Sequence, residues 1–205
     1  MKVISHRGYW TIDEEKNSEL AFRRSFNNDY GTETDVRDAH GDLVISHGMP
    51  LGGEMALEDF FKLPGATYLP LALNIKSDGI ARFVLESVIR NKIENWFVFD
   101  MSVPDMKSYL ELGCPVYCRM SEVEKIPAWF DRCTGIWLDS FGQEWYDSRL
   151  ITELLSTGKE LCVVSSELHN RDNIDLWEML LPFTSKSRIT LCTDQPELAT
   201  DYFNS

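Results

Sequence analysis

Short apolar runs recur along this 205-residue chain, and most are separated by a stretch long enough for one helix. The runs lie at 2–5, 31–36, 43–46, 71–76, 96–100, 116–119, 135–139, 161–165 and 189–192. They are rich in Val, Ile, Leu and aromatic residues, with weak period-two alternation. That pattern suits strands buried on both faces of a parallel sheet. The segments 18–28, 56–62, 79–91, 104–112, 147–157, 173–180 and 196–204 read as helices. Pro104 and Pro196 fit a first helical position. Gly113 and Gly158 stand just past helix ends, where a left-handed residue is wanted. Strands alternating with helices imply right-handed βαβ crossovers.

One connection breaks the rhythm. Between the second and third runs lies only Arg37-Asp38-Ala39-His40-Gly41-Asp42, and its Gly-Asp pair suits a turn. This pair of strands reads as a hairpin. Counted as one position, it leaves eight β units. The expected fold is therefore α/β, a compact (β/α)8 TIM barrel with a hairpin at the second strand unit. An open doubly wound sheet is the alternative. No Gly/Ser linker, charge block or low-complexity tract divides the chain, so residues 1–205 are expected to form a single domain.

The formal net charge of −13 disfavours binding to nucleic acid. An anionic substrate then needs a local positive site. No run is apolar and long enough to span a membrane. The chain enters its first strand at Met1-Lys2-Val3-Ile4 with no signal segment, and its five cysteines form no CxxC pair. Together these lead to the expectation of a cytoplasmic protein with reduced cysteines.

The chemistry-bearing residues gather where strands end. His6-Arg7-Gly8, Glu33-Thr34-Asp35 and Ser46-His47 each close an apolar run, and Asn74-Ile75-Lys76 closes another. In a parallel barrel such positions form the active face. Glu33 and Asp35 share one face of their strand, about 7 Å apart along the backbone. Two inward carboxylates repel unless a cation sits between them, and oxygen ligands suit Mg²⁺ or Ca²⁺. His6 and His47 suit a general acid and a general base. Arg7 offers a fork of donors for phosphate, Gly8 permits a sharp turn, and Lys76 offers a charge to phosphate. Asn74 can lend a carbonyl oxygen to a metal. Asp100, Arg119, Asp139 and Asp194 also fall near strand ends, with Asp194 read as a helix cap. His40 and His169 read as surface positions.

These residues resemble the pattern of the glycerophosphodiester phosphodiesterase family. The matching stretches are His6-Arg7-Gly8, Asn17-Ser18-Glu19-Leu20-Ala21-Phe22, Glu33-Thr34-Asp35-Val36, Val44-Ile45-Ser46-His47, Leu73-Asn74-Ile75-Lys76 and Thr193-Asp194-Gln195-Pro196. The resemblance implies a (β/α)8 barrel that hydrolyses a small-molecule phosphodiester with the help of a divalent cation. It places the metal on Glu33, Asp35 and Asn74, acid–base catalysis on His6 and His47, and phosphate binding on Arg7 and Lys76. It also implies that a substrate hydroxyl attacks first, giving a cyclic phosphate that water opens. Two positions depart from the pattern. Asn74 stands where the family has Glu, which weakens the pull on a hard cation. Lys16 precedes Asn17 where the family has Glu, leaving Glu15 one position away. The alternatives are a phospholipase-C-like diesterase acting on a lipid- or glycan-linked phosphodiester, and a catalytically impaired barrel that binds a phosphorylated ligand.

Overall fold

The computed structural model describes residues 1–204. In chain order the elements are β1 (Lys2–His6), α1 (Glu19–Asn27), β2 (Gly31–Ala39), β3 (Asp42–Ile45), α2 (Leu57–Phe61), β4 (Leu71–Ile75), α3 (Ala81–Arg90) and β5 (Trp96–Phe99). They continue as α4 (Val103–Glu111), β6 (Tyr117–Met120), β7 (Gly135–Leu138), α5 (Ser148–Ser156), β8 (Glu160–Val164), α6 (Ile174–Leu180), β9 (Ile189–Thr193) and α7 (Pro196–Asn204). All nine strands and seven helices expected from the sequence are present. Counting the β2–β3 hairpin as one position, eight strand units alternate with helices, in the manner of the (β/α)8 barrel class.

The chain groups into two compact units. The first is residues 5–116. Here the end of β1, then β2, β4 and β5, are neighbours in that order. β2 pairs with β4, and β4 with β5, in parallel, with Asp35 opposite Asn74. Val98 makes a further parallel bridge to Val116, just ahead of β6. The second unit is residues 1–4 and 117–205, in which β6, β7, β8 and β9 pair in parallel. Strand order follows chain order in each unit, without the reversal that a doubly wound sheet requires.

Local chemistry explains the boundaries. Ser18, Ser102 and Asp147 cap α1, α4 and α5 by accepting from the backbone N–H three residues on. α3 starts at Ala81 because Gly79 ahead of it is left-handed, at φ +82°. β2 runs to Ala39 because β3 folds back on it. Ala39 pairs with Asp42, and His40 and Gly41 form the two-residue turn with φ of +52° and +94°. Positive φ at both turn residues matches the twist of a hairpin. The link from β6 to β7 holds a short 3₁₀ turn, Phe130–Arg132, in place of an α-helix.

β4 and β7 are buried along their whole length, as expected for strands covered on both faces. In the first unit α1 and α2 meet through Phe22, Phe26 and Phe60, with the Phe22 and Phe60 rings 4.7 Å apart. The five cysteines are buried and free.

Candidate active site

The site lies in the first unit and starts at the turn after β1. Arg7 is left-handed at φ +57° and Gly8 follows at +85°. A Cβ on Gly8 would stand 2.7 Å from Ala21 Cβ, so only glycine lets α1 approach this turn. Arg7 N–H donates to Glu33 O at 3.1 Å and to Glu33 Oε2 at 3.2 Å. Asn17, also left-handed at φ +59°, donates its backbone N–H to Arg7 O. Its side chain then bridges β2: Nδ2 donates to Asp35 Oδ2 at 2.8 Å, and Oδ1 accepts from Thr34 Oγ1 at 2.9 Å. A residue ahead of α1 therefore holds a carboxylate on β2.

Around Asp35 the cations converge. Arg7 Nε lies 3.0 Å from Oδ2, and Lys76 Nζ lies 3.3 Å from Oδ1. Burial alone would raise the Asp35 pKa. The charges of Arg7 and Lys76 and the Asn17 hydrogen bond outweigh it and hold the carboxyl below its ordinary value. Glu33 has the opposite balance. Burial and then repulsion from Asp35 push its pKa up to about 7.

The histidines stand on either side. His6 Nε2 lies 3.9 Å from Glu33 Oε2. His47 follows β3, where Ser46 N–H donates to Asp35 O and fixes the chain to β2. Its Nδ1 takes a 2.7 Å hydrogen bond from Arg7 Nη2 and lies 3.3 Å from Asp35 Oδ1. Nδ1 can accept from Arg7 in one ring form and donate to Asp35 in another, and in either case Nε2 points away from both. The His47 side chain is 56% exposed, so that nitrogen can reach a ligand. A cavity of about 860 Å³ opens here, lined by Arg7, Lys16, Asn17, His47, Glu54 and Met55 among others.

All seven residues expected at the site lie in this unit, and polar contacts link them around the Glu33–Asp35 pair. Asn74 Nδ2 donates to Glu33 Oε1 at 3.2 Å, while its Oδ1 is buried with no hydrogen-bond partner. Among the described residues no cluster of three or more His, Cys, Asp or Glu could hold a metal ion. What the site does offer a hard cation is the Glu33 carboxylate, which accepts from Arg7 N–H and Asn74 Nδ2, and the orphaned Asn74 oxygen. Those oxygen donors fit Mg²⁺ or Ca²⁺. Glu15 is turned to another task. It accepts from Arg24 Nη1 at 2.8 Å and from Thr11 N–H at 2.8 Å, and these bonds lower its pKa to about 2.

Sequence reasoning missed a second polar cluster, in the second unit. Asp139, after β7, is buried and accepts from Arg119 Nη1 at 2.6 Å and from the Ser140 N–H at 2.7 Å. His169 Nε2 lies 2.8 Å from its Oδ1. The strand-end positions of Arg119 and Asp139 were visible signals. His169, in a polar loop, carried none.

The sequence matches no protein-family model and no curated protein. Solved structures do match. The fold is similar to that of a glycerophosphodiester phosphodiesterase from Agrobacterium tumefaciens, at a TM-score of 0.69 and 14% identity, covering 100% of both chains. It is also similar to that of a glycerophosphoryl diester phosphodiesterase from Parabacteroides distasonis, at 0.67 and 12%, covering 99% of this chain and 86% of that one.

Proposed function

We propose that the protein hydrolyses a glycerophosphodiester-like phosphodiester to a phosphomonoester and an alcohol. The observation that carries this reading is the convergence of two histidines, Arg7 and Lys76 on a buried carboxylate pair beside an open cavity. The similarity of fold to phosphodiesterases supports it.

In this reading Arg7 and Lys76 bind the non-bridging phosphoryl oxygens, with Asp35 holding both cations in place. His6 Nε2, next to the Glu33 carboxylate, accepts the proton of the attacking substrate hydroxyl. His47, protonated on both nitrogens with Nδ1–H turned to Asp35 Oδ1, gives its Nε2 proton to the departing alcohol oxygen, and its exposed position lets that alcohol leave to solvent. In the second step water opens the resulting cyclic phosphate, giving its proton to the now neutral His47 while His6 returns its own to the hydroxyl oxygen. Arg7 and Asp35 orient the His47 ring. Glu33, Asp35 and Asn74 would hold a divalent cation of the Mg²⁺ or Ca²⁺ type. When bound, such an ion supplies stabilisation of negative charge on the phosphoryl group.

One observation favours a second reading, a phospholipase-C-like action on a lipid-linked diester. Met49 and Leu51, in the loop after His47, are exposed. Hydrolysis of a micellar diester in preference to a soluble one would establish it.

The test is release of glycerol 3-phosphate from glycerophosphocholine and glycerophosphoethanolamine, with Mg²⁺, with Ca²⁺ and with chelator. Metal-dependent release that His47→Ala abolishes is the expected result. Absence of release from these and from micellar diesters under every condition would overturn the reading.

A further inference from the structure

The cavity beside the histidines carries one more charged group in its wall, Lys16. Its side chain is 28% exposed, and its Nζ sits 4.2 Å from the centroid of the Trp10 ring. Trp10 is itself fixed, because its Nε1–H donates to His6 O at 3.1 Å. The aromatic face therefore holds the Lys16 side chain beside the turn that carries His6 and Arg7.

Among the described residues the carboxylate paired with Lys16 is Asp13, at 2.8 Å. That partner is 78% exposed, and an exposed pair three residues apart contributes little and exchanges readily. The other acidic residues in the same cavity wall have partners of their own. Glu19 pairs with Arg23, Asp59 with Lys62, and Glu54 accepts from the N–H groups of Leu51 and Gly52. The Glu19 and Asp59 pairs are as exposed as Lys16–Asp13 and equally weak, while Glu54 is held by backbone donors. Arg7 is matched by the buried Asp35. Lys16 is the wall cation whose charge is the least committed to a buried partner.

We propose that Lys16 is a specificity-determining residue. It selects diesters whose alcohol carries a second anionic group, a phosphate monoester above all, over diesters with a neutral or cationic alcohol. The proposal rests on the phosphodiesterase reading given above. Arg7 and Lys76 take the diester phosphate, and Lys16 meets the additional charge from the cavity wall. The Trp10 ring limits how far the ammonium can follow a misplaced group, so selection depends on position as well as on charge.

A matched pair of probes tests this: glycerophosphoinositol and its ring monophosphate, which differ by one phosphate. The ratio of kcat/KM for the two is measured in the wild type and in Lys16→Met, Lys16→Glu and Lys16→Arg. The expected result is a wild-type preference for the ring monophosphate. That preference should fall about tenfold in Lys16→Met, fall further in Lys16→Glu and return in Lys16→Arg. A purely structural Lys16 would lower both rates together and leave the ratio unchanged, and that outcome overturns the proposal. Calorimetric binding of both probes separates this from a failure of the underlying reading. If neither probe nor any of the diesters named above is hydrolysed the phosphodiesterase reading fails. A binding preference that vanishes in Lys16→Met would still support the anion site, and equal binding of the two probes would end it.

Discussion

At position 74 an amide stands beside Glu33 and opposite Asp35, and this one group sets how the site meets a cation. Its nitrogen satisfies Glu33, and its oxygen is left without a partner. Replacing Asn74 with Glu adds a negative charge and a second oxygen donor. Calorimetric titration should then show Mg²⁺ or Ca²⁺ bound at least tenfold more tightly than by the wild type. Unchanged affinity would remove position 74 from the ligand set. The histidines make a separate prediction. His6→Ala and His47→Ala should each lower kcat by about 10²–10⁴-fold, the usual share of a general acid or base. Their circular dichroism should match that of the wild type, because neither ring is part of the apolar core. At this scale the sequence was highly legible. All seven expected site residues lie together, because a residue's place at a strand end can be read from the run before it. Two things were hidden. The left-handed Asn17 reaches from ahead of α1 to Asp35, and Glu15 turns away to Arg24. Both depend on how a loop doubles back, which no periodicity records.

Elements were legible in kind and order, less so at their ends. The hairpin was visible because six polar residues are too few for a crossover. Its turn lies at His40-Gly41, one residue earlier than the Gly-Asp pair suggested. The Asp139 cluster shows where reading by element falls short, since its members come from β6, from the end of β7 and from a 3₁₀ turn after β8. Burial would raise the Asp139 pKa, but the hydrogen bond from His169 and the charge of Arg119 hold it below the ordinary carboxylate value. A depressed carboxylate contributes stability that is complete above its unfolded pKa and is lost as pH falls through its folded pKa. Asp139→Asn should therefore cost about 3 kcal/mol near neutral pH, leaving Arg119 without its buried partner. The gap to the wild type in thermal melts should narrow as pH falls below about 4. A gap constant with pH would show that the charge of Asp139 contributes nothing. A packing prediction belongs to the same strands. A Cβ on Gly135 would stand 2.4 Å from the Tyr117 ring, which is buried. Gly135→Ala should destabilise the protein by about 1–3 kcal/mol in urea unfolding, as overpacking does.

For the molecule as a whole, a net charge of −13 frames the site. The surface repels polyanions, while Arg7, Lys76 and Lys16 gather positive charge near the histidines. Alternation of strands and helices was enough to name the fold class, since eight repeats leave few other arrangements. If Glu33, Asp35 and Asn74 hold a divalent ion, the folded chain gains stability from it by mass action, about 2.7 kcal/mol at a hundredfold excess over Kd. Melting temperature should then climb with added Mg²⁺ or Ca²⁺ and return with chelator. A melting point indifferent to both would argue that Arg7 and Lys76 alone balance the carboxylates.

The loop after His47 is pinned at its base. Ser46 N–H bonds to Asp35 O, Ile45 N–H to Met55 O, and Val44 bridges Ala56. Beyond that clamp Met49, Leu51, Gly52 and Gly53 stand in the open, and a Cβ on either glycine would meet nothing. His47 is thus anchored independently of the segment that follows it. Residues 49–53 form a replaceable cassette: they can lengthen, shorten or change character without displacing the His47 ring. Insertion there can reshape the rim of the cavity, which Gly53 lines, and leave the clamp untouched.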